Sequence, residues 1–203
     1  MSVPSENAFD YVEMIKRKAP EYLDLITAET DAQFESAFDG ILEKALMHLE
    51  KNKKNFDTLN EEGLSAALAG VMTIPGLTVS QEKHSGGHVD LTFEADHCLP
   101  ARTKLGEAKI YNGYKYHEGG LGQLLGRYTT GRECRGLLIV YVRKKDIKVL
   151  VEKLQSEMDK HLPLGQKGQT KNHTLKWSFL STHHHSCGED LFVCHVGCNL
   201  HVG

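Results

Sequence analysis

Two charged residues two positions apart in an apolar segment give the strongest chemical signal in this chain. Glu107 and Lys109 lie within residues 105–110, where every other residue is small or apolar. Alternate residues of a β-strand share a face, so a strand here places both charged side chains on one side of a sheet. Facing two charges into an apolar layer costs free energy unless partners are present. The pattern therefore predicts a charged site on a strand.

A further carboxylate precedes this pair in the sequence. Asp90 lies where Val89, Leu91 and Phe93 alternate with polar residues, which predicts a half-buried strand. If that strand lies beside the strand of Glu107, two carboxylates meet next to one ammonium group. Oxygen ligands of this kind favour a hard divalent cation, Mg²⁺ or Mn²⁺. Such a cation, with a lysine to support the anionic transition state, provides what phosphodiester hydrolysis requires.

The segments around these residues predict alternating helices and strands. Asn60 can cap a helix that Pro75 ends, a second helix is predicted to open at Gly119, and Asp146 can cap a third. Strands are predicted near residues 77–81, 89–93, 105–110, 136–142, 175–180 and 191–202. The expected fold is α/β, with a mixed central sheet flanked by helices.

The first quarter of the chain is predicted to be wholly helical. Thr30 and Gln33 form a capping-box pattern ahead of a long helix, and two shorter helices are separated at Pro20. A basic stretch at residues 51–55 closes this region. We therefore expect an N-terminal helical extension at residues 1–55 and a second domain at residues 56–203.

The ordered set of chemical residues resembles the core of the PD-(D/E)XK nuclease superfamily, which includes many restriction endonucleases and many antiviral or repair nucleases. The resemblance covers about residues 60–142 and implies a restriction-endonuclease-like core. It implies Asp90 and Glu107 as metal ligands and Lys109 as the catalytic lysine. Gln123 matches the polar residue that many members place on the helix after the lysine strand. The proline of the named pattern is missing here.

Members of this superfamily commonly carry an acidic residue on the preceding helix as well. Glu61 or Glu62 would take that place, and Glu61 is preferred because it shares a helical face with Leu64 and Leu68. Both acids also lie in a first helical turn, where the helix dipole alone favours them.

The resemblance implies a divalent-metal-dependent nuclease, with double-stranded DNA as the expected substrate and endonuclease action. No base-reading motif is visible, so a partner protein, a signal or oligomerisation is expected to gate activity, as in antiviral defence. The competing interpretation is a catalytically silent module that binds nucleic acid or docks a larger defence or repair complex. RNA stays open as a substrate, because the same metal site acts on the phosphodiester that both polymers share.

Composition sets only wide limits on these interpretations. The chain has 203 residues, of which 40% are hydrophobic, and a formal net charge of −3, so contact with nucleic acid must depend on bound cations and a local basic surface. The candidate phosphate-binding residues are Lys51, Lys53, Lys54, Arg127, Arg132, Arg135, Arg143, Lys144 and Lys145.

Cysteine content and hydropathy bear on where the protein works. Five cysteines, no secretory signal and no apolar run approaching the roughly 20 residues of a membrane span predict a cytoplasmic protein without membrane contact. Cys194 and Cys198 fall on the apolar face of the last predicted strand, where they are expected to be buried. His195 and His201 would then occupy the polar face of that strand.

Overall fold

The computed structural model describes residues 7–83, 89–95, 97–98, 101–128 and 135–203, without the side chains of residues 82, 83, 89, 90, 127 and 128. Its centre is a seven-stranded sheet. The strands are β1 (Thr78–Lys83), β2 (Val89–Ala95), β3 (Arg102–Ile110), β4 (Arg135–Val142), β5 (Lys171–Asn172), β6 (Ser178–His184) and β7 (Asp190–Asn199). They lie in the order β1-β2-β3-β4-β7-β6-β5, in which β3, β4 and β7 are mutually parallel and the remaining neighbours are antiparallel.

Helices cover both faces of this sheet. They are α1 (Ala8–Lys18), α2 (Pro20–Ile26), α3 (Asp31–Lys51), α4 (Glu61–Met72), α5 (Tyr114–Gln123) and α6 (Ile147–His161). Alternate residues of β4 enter two hydrophobic cores: Ile139 packs with α3 and α4, and Val140 packs with α5 and α6. The predicted class, an α/β fold with a mixed sheet between helices, is confirmed. No helix in the described ranges is long and apolar enough to cross a membrane.

Local capping signals place the N-terminal helices where the sequence predicts them. The Thr30 hydroxyl accepts a hydrogen bond from the Gln33 N–H, and the Gln33 side chain accepts one from the Thr30 N–H, which confirms the capping box of α3. Asn60 Oδ1 accepts the Gly63 N–H at 2.9 Å and fixes the start of α4. Residues of α3 share one core with the sheet. The division at residue 55 stays a prediction.

Several elements differ from the sequence prediction. The helix α5 begins at Tyr114 rather than Gly119, because Gly119 and Gly120 lie inside the helix instead of opening it. Asp146 precedes α6 but has a φ of 61° and makes no capping hydrogen bond through its side chain. The strand β6 begins and ends later than predicted, and the two-residue strand β5 was not predicted.

Two of the proposed phosphate-binding arginines are structural. Arg135 is 8% exposed and forms ion pairs with Glu35 and Asp39 on α3, which tie that helix to the sheet. Arg143 donates to the backbone carbonyl of Leu59 ahead of α4. The Arg135 charge is already neutralised inside the protein, which argues against contact with DNA phosphates. For Arg143, which is half-buried, phosphate contact stays a prediction. Arg132 lies outside the described residues.

Candidate active site

Glu107 and Lys109 lie side by side on one face of β3 and form an ion pair. Glu107 is fully buried and Lys109 is 7% exposed. Ala108, between them, packs into the core on the other face of the sheet. The alternation seen in the sequence thus places both charged groups on the side of the sheet that α5 covers. Because burying charge is costly without partners, this pair is a built feature of the strand rather than a surface ion pair.

The backbone of Asp90 lies on the strand next to this pair. The antiparallel register of β2 and β3 pairs Asp90 directly with Glu107. This is the strand arrangement that a shared metal site requires. The Asp90 side chain lies outside the part of the chain that the structure describes, so the contact between the two carboxylates stays a prediction.

Of the two acids at the start of α4, Glu61 is the one that reaches the site. Its Oε2 accepts the backbone N–H of Ile110 at 2.7 Å, and its Oε1 lies 3.4 Å from the Lys109 ammonium. The Glu62 side chain is exposed, and its backbone carbonyl accepts a hydrogen bond from Gln81. The capped start of α4 therefore presents one carboxylate to the end of β3.

A pocket of about 250 Å³ has Lys109 in its wall. Its lining residues are Glu61, Lys109, Lys115, Tyr116, Gly119, Gly120 and Gln123. Gln123 thus lines the same pocket as Lys109, and its role in catalysis stays a prediction. The Tyr116 hydroxyl donates to Glu61 Oε2 at 3.3 Å. Lys115 and Tyr116 are not among the residues that the sequence predicts for this site, although two tyrosines flank a lysine shortly after the Glu107 strand.

The electrostatics of the site define the charge of the lysine. Burial acts to lower the pKa of Lys109, but the carboxylates of Glu107 and Glu61 outweigh it, and the pKa is raised above its ordinary value. Lys109 is therefore an ammonium ion at neutral pH. In this arrangement it is suited to support an anion and to donate hydrogen bonds.

Gly120 allows α5 to approach the lysine closely. A Cβ atom at this position would lie 2.9 Å from Lys109 Cγ and 3.4 Å from Leu138 Cδ1, whereas a Cβ at Gly119 would meet nothing within 4 Å. The helix backbone thus packs on the lysine stem at Gly120, and only one of the two adjacent glycines is required by space.

The buried cysteines of β7 are poor metal ligands, and one of the three candidate carboxylates has its side chain outside the described residues. Within the described residues no group of three or more His, Cys, Asp or Glu is arranged to hold an ion, and the Asp90 side chain is not among those residues. Cys194 and Cys198 are buried in the sheet core, as the apolar face of β7 predicts. Burial raises the pKa of both thiols, to about 12 for Cys194, which disfavours the thiolate that zinc binding needs.

A buried chain of hydrogen bonds runs from α5 across β7 and β6. His117 Nε2 lies 2.9 Å from His195 Nδ1, His195 Nε2 lies 2.7 Å from Ser181 Oγ, and Ser181 Oγ lies 2.7 Å from His183 Nε2. His183 Nδ1 lies 3.1 Å from the Leu164 carbonyl. The prediction of a polar face for His195 is wrong, because helices cover both faces of β7.

The carbonyl end of this chain fixes every proton along it. Since a carbonyl only accepts, His183 Nδ1 carries a hydrogen and its Nε2 accepts from Ser181. Ser181 then accepts from His195, whose Nδ1 accepts from His117 Nε2. Burial lowers the pKa of all three histidines, to about 4 for His117. The three imidazole rings are therefore neutral at pH 7.

Comparison with known proteins adds no assignment. No family model, curated protein or solved structure matches this chain. The functional interpretation of the pocket therefore depends on its own geometry.

Proposed function

We propose that this chain is a divalent-metal-dependent nuclease with a restriction-endonuclease-like core, which hydrolyses DNA phosphodiester bonds at the pocket beside Lys109. The observation that carries the proposal is the Lys109 ammonium held between the carboxylates of Glu107 and Glu61, with Asp90 in register with Glu107 on the next strand. The element order α4-β1-β2-β3-α5-β4 is the one on which the resemblance to PD-(D/E)XK nucleases depends.

The donor set suits Mg²⁺ or Mn²⁺. Glu61, Glu107 and Asp90 carry three negative charges, and Lys109 carries one positive charge. The remaining two negative charges are what a divalent cation balances. All the donors are carboxylate oxygens, the ligands that hard cations prefer. When bound, the ion would polarise a phosphoryl oxygen and neutralise charge on the leaving oxygen.

The chain's own residues supply the remaining functions in this proposal. The Lys109 ammonium donates to the phosphoryl group as negative charge develops there. Ile110 and Tyr116 hold Glu61 in place through the hydrogen bonds that they donate to Oε2. Gln123 orients the attacking water from the wall of the pocket.

Substrate and regulation follow from the same assignment. Double-stranded DNA is the proposed substrate, cut internally, in the cytoplasm. No base-reading element is visible in this sequence, and a nuclease of low sequence specificity endangers its own host. We therefore propose that a partner protein or a second copy of the chain gates activity, as in antiviral defence.

A catalytically silent nuclease-fold module is the second candidate. The observation that favours it is the ion cluster itself, in which two carboxylates already neutralise Lys109 without a cation. The two candidates differ in whether a divalent ion binds and in whether DNA is cut.

The test is incubation of the purified protein with supercoiled plasmid, linear DNA and RNA, in Mg²⁺, Mn²⁺ or EDTA, with protein in excess over DNA so that the slow cutting expected without the gating partner is detected. The nuclease predicts metal-dependent cutting that Asp90→Ala and Lys109→Ala abolish and that Lys153→Ala, at an exposed position on α6, preserves. Nicking of the plasmid establishes endonuclease action. Cutting in EDTA, or cutting that survives Lys109→Ala, would contradict the proposal.

A further inference from the structure

Tyr116 places an aromatic ring in the wall of the candidate pocket. The residue is 43% exposed, although its hydroxyl is engaged with Glu61 and its ring centroid lies 5.9 Å from the buried Lys109 ammonium. A large aromatic side chain that stays accessible at a polar pocket offers a surface for stacking. Among the described residues this ring belongs to neither hydrophobic cluster, so the core as described does not require it.

Lysines accompany the tyrosines of this segment. Lys115 has an 85% exposed side chain, is paired with Glu118 at 2.8 Å, and lies 5.5 Å from the Tyr114 ring. Lys144 lies 5.3 Å from the ring of Tyr111. We call residues 111–116 the tyrosine segment. It combines accessible positive charge with aromatic rings although the chain as a whole is acidic.

The tyrosine segment lies at the edge of the sheet where ligands bind in α/β proteins. Tyr111 directly follows β3, and Lys144 follows the end of the parallel strand β4 by two residues. The carboxyl ends of parallel strands open onto such ligand crevices. Lys109, near the end of β3, lies at the same edge.

This combination matches the chemistry of an unpaired nucleic-acid strand. Rings that stack on bases and lysines that pair with phosphates are how proteins hold single strands. In a duplex the bases are stacked on one another, and only the backbone and the groove edges are accessible to side chains.

We propose that Tyr116 stacks on a base of an unpaired DNA strand and that Lys115 binds a neighbouring phosphate, so that the substrate is single-stranded at the point of cleavage. The position of the cut rests on the nuclease function proposed above. The proposed substrate is then not fully paired double-stranded DNA but DNA that contains an unpaired stretch.

The two parts of Tyr116 are separable by substitution. Tyr116→Phe keeps the ring and removes the hydrogen bond to Glu61, whereas Tyr116→Leu removes both. Stacking predicts that only Tyr116→Leu weakens binding of the strand. A role limited to positioning Glu61 predicts that the two variants behave alike.

The experiment is fluorescence anisotropy of labelled oligo-dT, of the matching duplex and of oligo-U, in EDTA so that binding is measured without cleavage. Tyr116→Leu is expected to weaken oligo-dT binding by about 5- to 150-fold, with little change for the duplex and for Tyr116→Phe. Lys115→Gln is expected to lower the slope of log affinity against log salt by about 0.7, the value for one phosphate contact on a single strand.

Matched controls lie on α1, far along the chain from the pocket. Tyr11 is 49% exposed, and Lys16 forms an i,i+3 ion pair with Glu13 as Lys115 does with Glu118. Tyr11→Leu and Lys16→Gln should leave oligo-dT binding unchanged. Thermal unfolding of each variant verifies that it is folded.

The outcomes separate this inference from the nuclease proposal. Equal oligo-dT affinity in Tyr116→Leu and Tyr11→Leu, or an equal loss for duplex and single strand, overturns the stacking role even if the protein cuts plasmid. Tighter binding of oligo-U than of oligo-dT overturns the assignment to DNA. Stacking on oligo-dT in a protein that neither cuts DNA nor binds Mn²⁺ overturns the nuclease and leaves the binding surface.

Discussion

The carboxylate of Glu61 accepts a hydrogen bond of 2.7 Å from the backbone N–H of Ile110, which joins the first turn of α4 to the end of β3. Ile110 directly follows Lys109, so one carboxylate is fixed by the backbone next to the ammonium group that it neutralises. Asn60 sets the position of this turn by capping α4. The geometry of the site therefore depends on a helix cap as much as on the strand that carries the lysine.

Replacing either of the adjacent acids, Glu61 or Glu62, by the uncharged glutamine separates their roles. Glu61→Gln keeps an oxygen to accept the Ile110 N–H but loses the negative charge at the pocket. We expect the Mn²⁺ concentration for half-maximal cleavage to rise by at least about 10-fold. Glu62→Gln, at an exposed position, should match the parent protein. A Mn²⁺ titration of plasmid cleavage measures both, and equal behaviour of the two variants would remove Glu61 from the site.

Removing the lysine should cost stability as well as activity. Lys109→Met leaves the fully buried Glu107 without its ion-pair partner, and breaking a buried pair in this way costs about 3 kcal/mol. A divalent cation can replace the lost positive charge. We therefore expect Mn²⁺ to raise the melting temperature of the variant more than that of the parent, while cleavage stays absent. A variant as stable as the parent in EDTA would show that the pair is not stabilising.

Adjacent glycines on α5 give a test of the close approach to the lysine. Gly120→Ala puts a Cβ 2.9 Å from Lys109 Cγ and should destabilise the protein by about 1–3 kcal/mol. Gly119→Ala, which meets nothing within 4 Å, should stabilise the helix by up to about 1 kcal/mol. Chemical denaturation of both variants measures the difference. Equal changes in the free energy of unfolding, in the same direction for both variants, would contradict the packing described for α5.

The buried histidine chain makes stability depend on pH in one direction. The folded pKa of His117 is lowered to about 4, whereas an unfolded histidine titrates near 6.5, so the unfolded state binds the proton first as pH falls. The contribution of neutral His117 to the free energy of unfolding is therefore fully present above about pH 6.5. It is lost as the pH falls from there to about 4, by roughly 3 kcal/mol for His117 alone.

Substitution by glutamine isolates this contribution. His117→Gln keeps an N–H group to donate to His195 Nδ1 but does not titrate, so the decline of unfolding free energy between about pH 6.5 and 4 should become shallower by up to about 1.4 kcal/mol per pH unit. His48→Gln, on the exposed face of α3, is the control. Denaturant titrations across this range make the comparison. An unchanged pH profile would exclude His117 as the group responsible.

Local patterns in the sequence predict helices and strands better than they predict the contacts that those elements make with distant parts of the chain. The alternation around Glu107 and the cap at Asn60 depend on neighbours within a few residues, and both appear in the structure. Arg135 looked like a surface cation because its partners, Glu35 and Asp39, lie on a distant helix. Long-range ion pairs leave no local signal.

Errors at the site have similar physical causes. Placing the start of α5 at Gly119 left Tyr116 in a loop and hid its contact with Glu61. A glycine pair usually marks a helix end, but here Gly120 is required by the approach of the helix to Lys109. His195 was placed on a polar face because alternation does not show whether a strand is central and covered on both sides.

Calorimetric titration of the purified chain with Mn²⁺ shows directly whether β2 and β3 together hold a divalent cation. This measurement requires neither a substrate nor an activating partner. Asp90→Asn removes the charge in register with Glu107, and Glu94→Gln removes an exposed charge from the same strand. We expect Mn²⁺ to bind the parent and Glu94→Gln alike and to bind Asp90→Asn at least about 10-fold more weakly. Absence of Mn²⁺ binding to the parent, or equal binding to all three proteins, would exclude a metal site formed by Asp90 and Glu107.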